Sequence, residues 1–116
     1  MIGAAIEVHR TLGPGFLESV YEEALAIEFE LRGIPYERQK AIILDFKGRI
    51  VGESRLDFLV AGELIVELKA VESIHPIFPA QVIHYLKICN LELGLIINFN
   101  VVLLKDGVKR IALTNK

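Results

Sequence analysis

The sequence holds a single cysteine, Cys89, so no internal disulfide can form, and nothing in it points to an oxidising compartment. A reduced, cytoplasmic setting is the expectation. Its three histidines, His9, His75 and His84, are scattered along the chain and show none of the clustered spacing of a zinc site. Long apolar runs are missing too: Leu93–Ile97 and Val101–Leu104 fall far short of the roughly 18 residues that cross a bilayer. The opening residues lack a basic leader and meet Glu7 at once, so they are not read as a signal peptide. Positive charge is not in excess either. With a net charge of −2 and a pI near 5.9, grip on a polyanion through charge alone is excluded. Nucleic acid could be handled only through a local basic patch or metal ions. Repeats, low-complexity tracts and linkers are absent, and 116 residues fit one domain.

Apolar residues are plentiful. They make up 53% of the chain, and mean hydropathy is +0.45, which excludes disorder. So high a fraction in so small a chain hints at a buried oligomer interface.

Two helices open the pattern. The first, residues 2–12, presents Ile2, Ala5, Ile6 and His9 on one face and stops at Gly13-Pro14-Gly15. The second, about 17–32, places Leu17, Val20, Ala24, Ile27 and Leu31 in a stripe, with Gly33 and Pro35 ending it. The period then changes to that of strands. Tyr36–Phe46 turns at Lys47-Gly48 into a strand from about Arg49 to Val60, and Ala61-Gly62 leads into Glu63–Ala70. Ala80–Leu91, introduced by Pro79, forms a third helix. Gly94–Asn100 reads as a strand buried on both faces, and Val101–Leu104 with Val108–Leu113 as a hairpin or further strand pair. The order α-α-β-β-β-α-β-β predicts an α/β fold, a mixed sheet flanked by helices.

Chemistry concentrates in Arg55–Val60 and Ile65–Ala70. On the second of these strands Glu67 and Lys69 project together from an otherwise apolar run, which is costly unless something pairs with them. Asp57 has a similarly apolar setting. A two-residue loop would set Asp57 opposite Val66. A three-residue loop, 61–63, pairs Val60 with Leu64 and sets Asp57 opposite Glu67, with Gly62 supplying a left-handed residue. Adjacent carboxylates repel unless a divalent cation lies between them. The expected register is therefore the odd-length loop, with an acidic, metal-binding face.

Asp57-X9-Glu67-X-Lys69 on adjacent strands resembles the PD-(D/E)XK nuclease superfamily, whose core order is α-β-β-β-α-β. Gln81 and Tyr85, four apart on the helix after the lysine strand, look like the Gln-X3-Tyr of its RecB-like branch. Gly15-Phe16-Leu17-Glu18-Ser19-Val20-Tyr21 matches the Gly-x-x-Glu-x-x-Tyr signature that names a small bacterial and archaeal family (GxxExxY) assigned to it. Gly94–Phe99 and Asp106–Arg110 also look like that family. Leu56 stands where the superfamily motif has proline, a common substitution there. The resemblance implies a restriction-endonuclease-like fold and a metal-dependent nuclease acting on nucleic acid, DNA in preference to RNA. Asp57, Glu67 and the main-chain carbonyl of Leu68 would hold Mg²⁺ or Mn²⁺, with Glu18 completing the shell. Lys69 would orient or deprotonate the attacking water. Gln81 and Tyr85 would position the phosphate or the nucleophile, and Arg55 and Lys87 would touch the backbone.

Bland readings stand beside these. Glu18 alone is a helix-dipole acid, Tyr21 packs, Tyr85 could pack with its hydroxyl on a carboxylate, and Cys89 is a small buried hydrophobe. His84 neighbours Gln81 and Tyr85 and is a minor candidate for substrate contact. Tyr36–Lys40 reads as a solvated edge strand or, alternatively, as the substrate flank. The competing function is a non-catalytic nucleic-acid-binding or accessory module that keeps the fold; a toxin-like or defence nuclease is a third. A homodimer would offer two sites for two strands. No membrane association is expected, and a recruiting protein is not identifiable.

Overall fold

A computed structural model describes residues 1–113. Helices α1 (Ile2–Leu12) and α2 (Glu18–Leu31) precede strands β1 (Tyr36–Phe46), β2 (Arg49–Val60) and β3 (Leu64–Lys69). Helix α3 (Ile77–Cys89), strand β4 (Leu93–Asn98), a 3₁₀ turn (Leu104–Asp106) and strand β5 (Val108–Ala112) complete the order. The sheet runs β1-β2-β3-β4-β5. Among the described residues only β3 and β4 are parallel, as the α3 crossover between them requires. The architecture is the expected α/β one, a mixed sheet with helices on both faces. Among the described residues, no helix is long and apolar enough to cross a membrane.

Each face of the sheet carries its own core. Phe58, Val60, Val66, Leu68, Leu95 and Ile97 pack under α1 and α2. Leu56, Leu59, Ile65 and Ile96 pack under Val82, Tyr85 and Leu86 of α3. Strands β3 and β4 are apolar on both sides for this reason. Gly94 lets α3 sit close, since a Cβ there would lie 2.8 Å from Val82 Cγ1.

Four local expectations need correction. Helix α3 starts at Ile77 after Pro76, so Pro79 lies within its first turn instead of introducing it, and it ends at Cys89. Helix α2 buries Tyr21, Leu25, Ala26 and Phe29, whereas Leu17, Ile27 and Leu31 are largely exposed. Two apolar stripes run along this helix, and the one bearing two aromatic rings fills more of the core. Tyr21 stacks on Phe99 at 4.6 Å, and Phe29 meets Phe58 edge-on at 5.3 Å. Helix α1 likewise turns Ala4, Ala5, Val8 and His9 inward and leaves Ile2 and Ile6 at the surface. Val101–Leu104 is not a strand. His9 Nε2 donates to Val101 O (2.7 Å), and the Asn98 amide bonds directly to Gly107 O (2.8 Å), so the intervening residues bulge outward as a loop.

Gly94→Ala forces α3 off β4 and is expected to cost about 1–3 kcal/mol of stability, measured by urea unfolding. A neutral result would show that α3 does not rest on β4 as closely as described.

Candidate active site

The connection between β2 and β3 has three residues, 61–63, with Ala61 and Gly62 both left-handed (φ 54° and 70°). Val60 pairs with Leu64, Leu59 with Ile65 and Phe58 with Val66, which is the register expected from the odd-length loop. Asp57 and Glu67 come next, and there the ladder stops. In its place the side chains complete the pairing. The Asp57 amide donates to Glu67 Oε2 at 2.7 Å, and the Leu68 amide donates to Asp57 Oδ2, also at 2.7 Å. Each carboxylate thus serves the main chain of the opposite strand.

The distortion behind this lies in β2. Leu56 belongs to the α3-side core and Phe58 to the α2-side core, so the alternation of faces slips between them. On β1 the partners jump from Arg38–Phe58 to Lys40–Leu56, and Gln39, at φ 52°, drops out of the ladder together with Asp57. Strand β3 keeps regular alternation. Lys69 O accepts from the Phe99 amide on the β4 side, while the Leu68 amide faces β2. The Leu68 carbonyl therefore points toward the same gap as Asp57.

Helix α2 brings Glu18 in its first turn. Tyr21 fixes that turn: its hydroxyl donates to Gly13 O (2.6 Å) and accepts from the Phe16 amide (3.2 Å). The spacing of Gly15, Glu18 and Tyr21 thus has a mechanical basis, because the tyrosine ties down the loop that aims the glutamate. From the other side, Lys69 Nζ lies over the Phe78 ring of α3, 4.1 Å from its centre. Gln81, one turn further along α3, is exposed. Tyr85 is buried, and its hydroxyl shares a 2.7 Å hydrogen bond with Ser54 Oγ on β2. Arg55, Lys87 and His84 are exposed, and Arg55 donates to Gln39 O (3.1 Å).

Electrostatically the cluster is under tension. Glu67 is 6% exposed, and burial, reinforced by the charge of Asp57, pushes its carboxyl up to about 8. Burial also raises Asp57, although the hydrogen bond from the Leu68 amide pulls the other way. Glu18 is raised by burial and then by Asp57. Glu22, one turn after Glu18, adds its charge to both Asp57 and Glu18.

Four contributors escaped the motif reading. Glu22 was readable as the i+4 neighbour of Glu18. Asn98 was readable as a polar side chain ending an apolar strand: buried, it accepts from the Val71 and Asn100 amides and donates to Val71 O, holding the chain that leaves Lys69. Phe78 and Gln39 carried no comparable signal.

A model of the PD-(D/E)XK nuclease superfamily matches residues 1–111. The chain belongs to that superfamily. No curated protein and no solved structure matches it. Superfamily membership makes nucleic acid the expected substrate class and divalent metal the usual cofactor. The donors of this PD-(D/E)XK chain fit such an ion in kind, since the hard carboxylate oxygens of Asp57 and Glu67 are neighbours across two strands where like charges repel. Among the described residues, however, no three His, Cys, Asp or Glu side chains are already gathered closely enough to hold one. Asp57 and Glu67 each give one oxygen to a main-chain amide instead.

The unfolded Glu67 carboxyl loses its proton near 4.5, whereas the folded one keeps it to about 8. Without divalent ions, stability should therefore fall as pH rises through that interval. Glu67→Gln is expected to flatten the decline and to exceed the wild type above pH 8 in urea unfolding. Curves of equal slope for the two proteins would refute the assignment.

Proposed function

We propose that this chain is a metal-dependent nuclease that hydrolyses phosphodiester bonds in nucleic acid, DNA in preference to RNA. The observation that carries the reading is the juxtaposition of Asp57 and Glu67 on neighbouring strands, with Lys69 two residues on and Glu18 close enough to feel both Asp57 and Lys69. Held by Asp57, Glu67 and the Leu68 carbonyl, with Glu18 closing the shell, Mg²⁺ or Mn²⁺ would polarise the phosphate and lower the pKa of a bound water.

The chain's own residues do the rest. Lys69 orients the water or takes up its proton, and the positive charge at its nitrogen stabilises the negative charge that gathers on the phosphate as the water oxygen bonds to phosphorus and the bridging P–O bond breaks, the departing oxygen leaving with the proton. The Phe78 ring steadies the ammonium without neutralising it, because a π face is a weaker partner than a carboxylate. Gln81 contacts the phosphate from the exposed face of α3. Tyr85 acts through Ser54, fixing β2 just ahead of Asp57. Lys87 supplies local positive charge that the net charge of −2 does not, and Arg55, shared with Glu53 (3.2 Å) and the Gln39 carbonyl, adds to it beside β1. The GxxExxY signature and the Gln81/Tyr85 pair favour the RecB-like branch.

One feature favours the second reading, an accessory module that binds nucleic acid without turnover: both acids already have main-chain partners. Cleavage separates the two. With Mn²⁺ or Mg²⁺, wild type is expected to cut single- and double-stranded DNA, while Asp57→Asn and Lys69→Ala lose about 10²-fold or more in rate, with Asp57→Asn melting no lower than the wild type because it relieves the repulsion between the acids. Binding without cleavage by the wild type would establish the accessory module. Cleavage that survives both substitutions would place the chemistry elsewhere.

A further inference from the structure

Gln39 is the one residue of the β1–β2 hairpin, outside its tight turn, that adopts a left-handed backbone, with φ 52°. A glutamine gains nothing locally from that conformation, and such strain persists only where the surroundings impose it. Here they do so at both ends. Its carbonyl accepts from Arg55 Nη1 (3.1 Å), which takes up the role of the lost ladder bond. Its side-chain amide donates to Glu22 Oε1 (2.9 Å) and, at a longer 3.4 Å, to Asp57 Oδ1. Both partners are carboxylates, so the nitrogen and not the oxygen of the amide must face them. Glu22 is itself gripped by Arg38 Nε (2.7 Å), whose other nitrogen holds Glu23 (2.8 Å), so α2 and β1 are clamped together beside the acids.

The two oxygens of Asp57 are therefore aimed from two strands. Oδ2 is set by the Leu68 amide of β3, and Oδ1 faces the Gln39 amide of β1. From this arrangement we infer that Gln39 is a positioning residue for Asp57, a neutral donor that orients the first acid and separates it from Glu22. The inference rests on the nuclease reading above and extends it to a residue outside the superfamily's acidic and lysine motif. Groups that orient a ligating carboxylate without touching the ion typically matter about 10–100-fold to metal affinity or activity.

Two substitutions isolate the amide. Gln39→Met keeps the length of the side chain and the strained backbone but removes the donor. Gln39→Gly removes the donor and relieves the strain. Mn²⁺ affinity is measured by calorimetry, kcat and KM on a DNA substrate by cleavage, and integrity by melting temperature. Both variants are expected to weaken Mn²⁺ binding about 10-fold or more and to lower kcat with little change in KM. Gln39→Gly should melt no lower than the wild type, which a merely structural role would not allow. If one variant fails to fold, the other decides. Wild-type affinity and kcat in a folded variant would overturn the inference and leave the nuclease reading intact. A wild type that neither binds Mn²⁺ nor cleaves would overturn both, a result distinguishable from the first because Gln39 plays no part in it.

Discussion

Two carboxylates side by side in a nearly dry sheet are a standing electrostatic cost, and the organisation of this protein follows from how that cost is met. Asp57 and Glu67 are not held by cations: among the described residues neither forms an ion pair within 4 Å. They are held by main-chain amides, each accepting from the opposite strand at the step where the regular ladder fails. The amides offset part of the desolvation and also lock the geometry, because moving either side chain would leave a partly buried N–H without its partner. The repulsion that remains is what a divalent ion would relieve. Stability has been given up locally to keep two acids adjacent.

Elements further away serve that junction. Tyr21 bonds the loop ahead of α2, so that Glu18 enters from the helix's first turn. Asn98 ties the chain leaving β3 to the end of β4, which fixes where Lys69 stands. Phe78 takes the lysine on its ring. Tyr85, buried among Leu56, Leu59 and Ile65, secures β2 through Ser54. Few of these residues touch the acids directly, and each sets the direction from which a group approaches them.

The register of β2 and β3 was legible in the sequence because it reduces to arithmetic: loop length and a period of two decide which residues face each other. The element order was legible for similar reasons, from breakers such as Gly13-Pro14-Gly15 and Gly33. The buried face of α2 was not. Both of its stripes are apolar, and the choice depended on ring packing against Phe58 and Phe99, partners distant in the chain. Val101–Leu104 has the composition of a strand but finds no partner strand among the described residues, since Gly107 already pairs with Asn98 and His9 takes the Val101 carbonyl. Gln39 was invisible because a left-handed glutamine has no signature. Its conformation is imposed by Arg55, Glu22 and Asp57 together.

The most direct test follows the Glu67 carboxyl carbon by ¹³C NMR through pH 4 to 10, with and without Mg²⁺. The account predicts a midpoint near 8 in the absence of the ion, reflecting burial beside Asp57. Saturation with Mg²⁺ should drive that midpoint down below neutrality. An ordinary carboxylate midpoint that ignores Mg²⁺ would mean that the pair is neither strained nor a metal site, and would contradict the account at its centre.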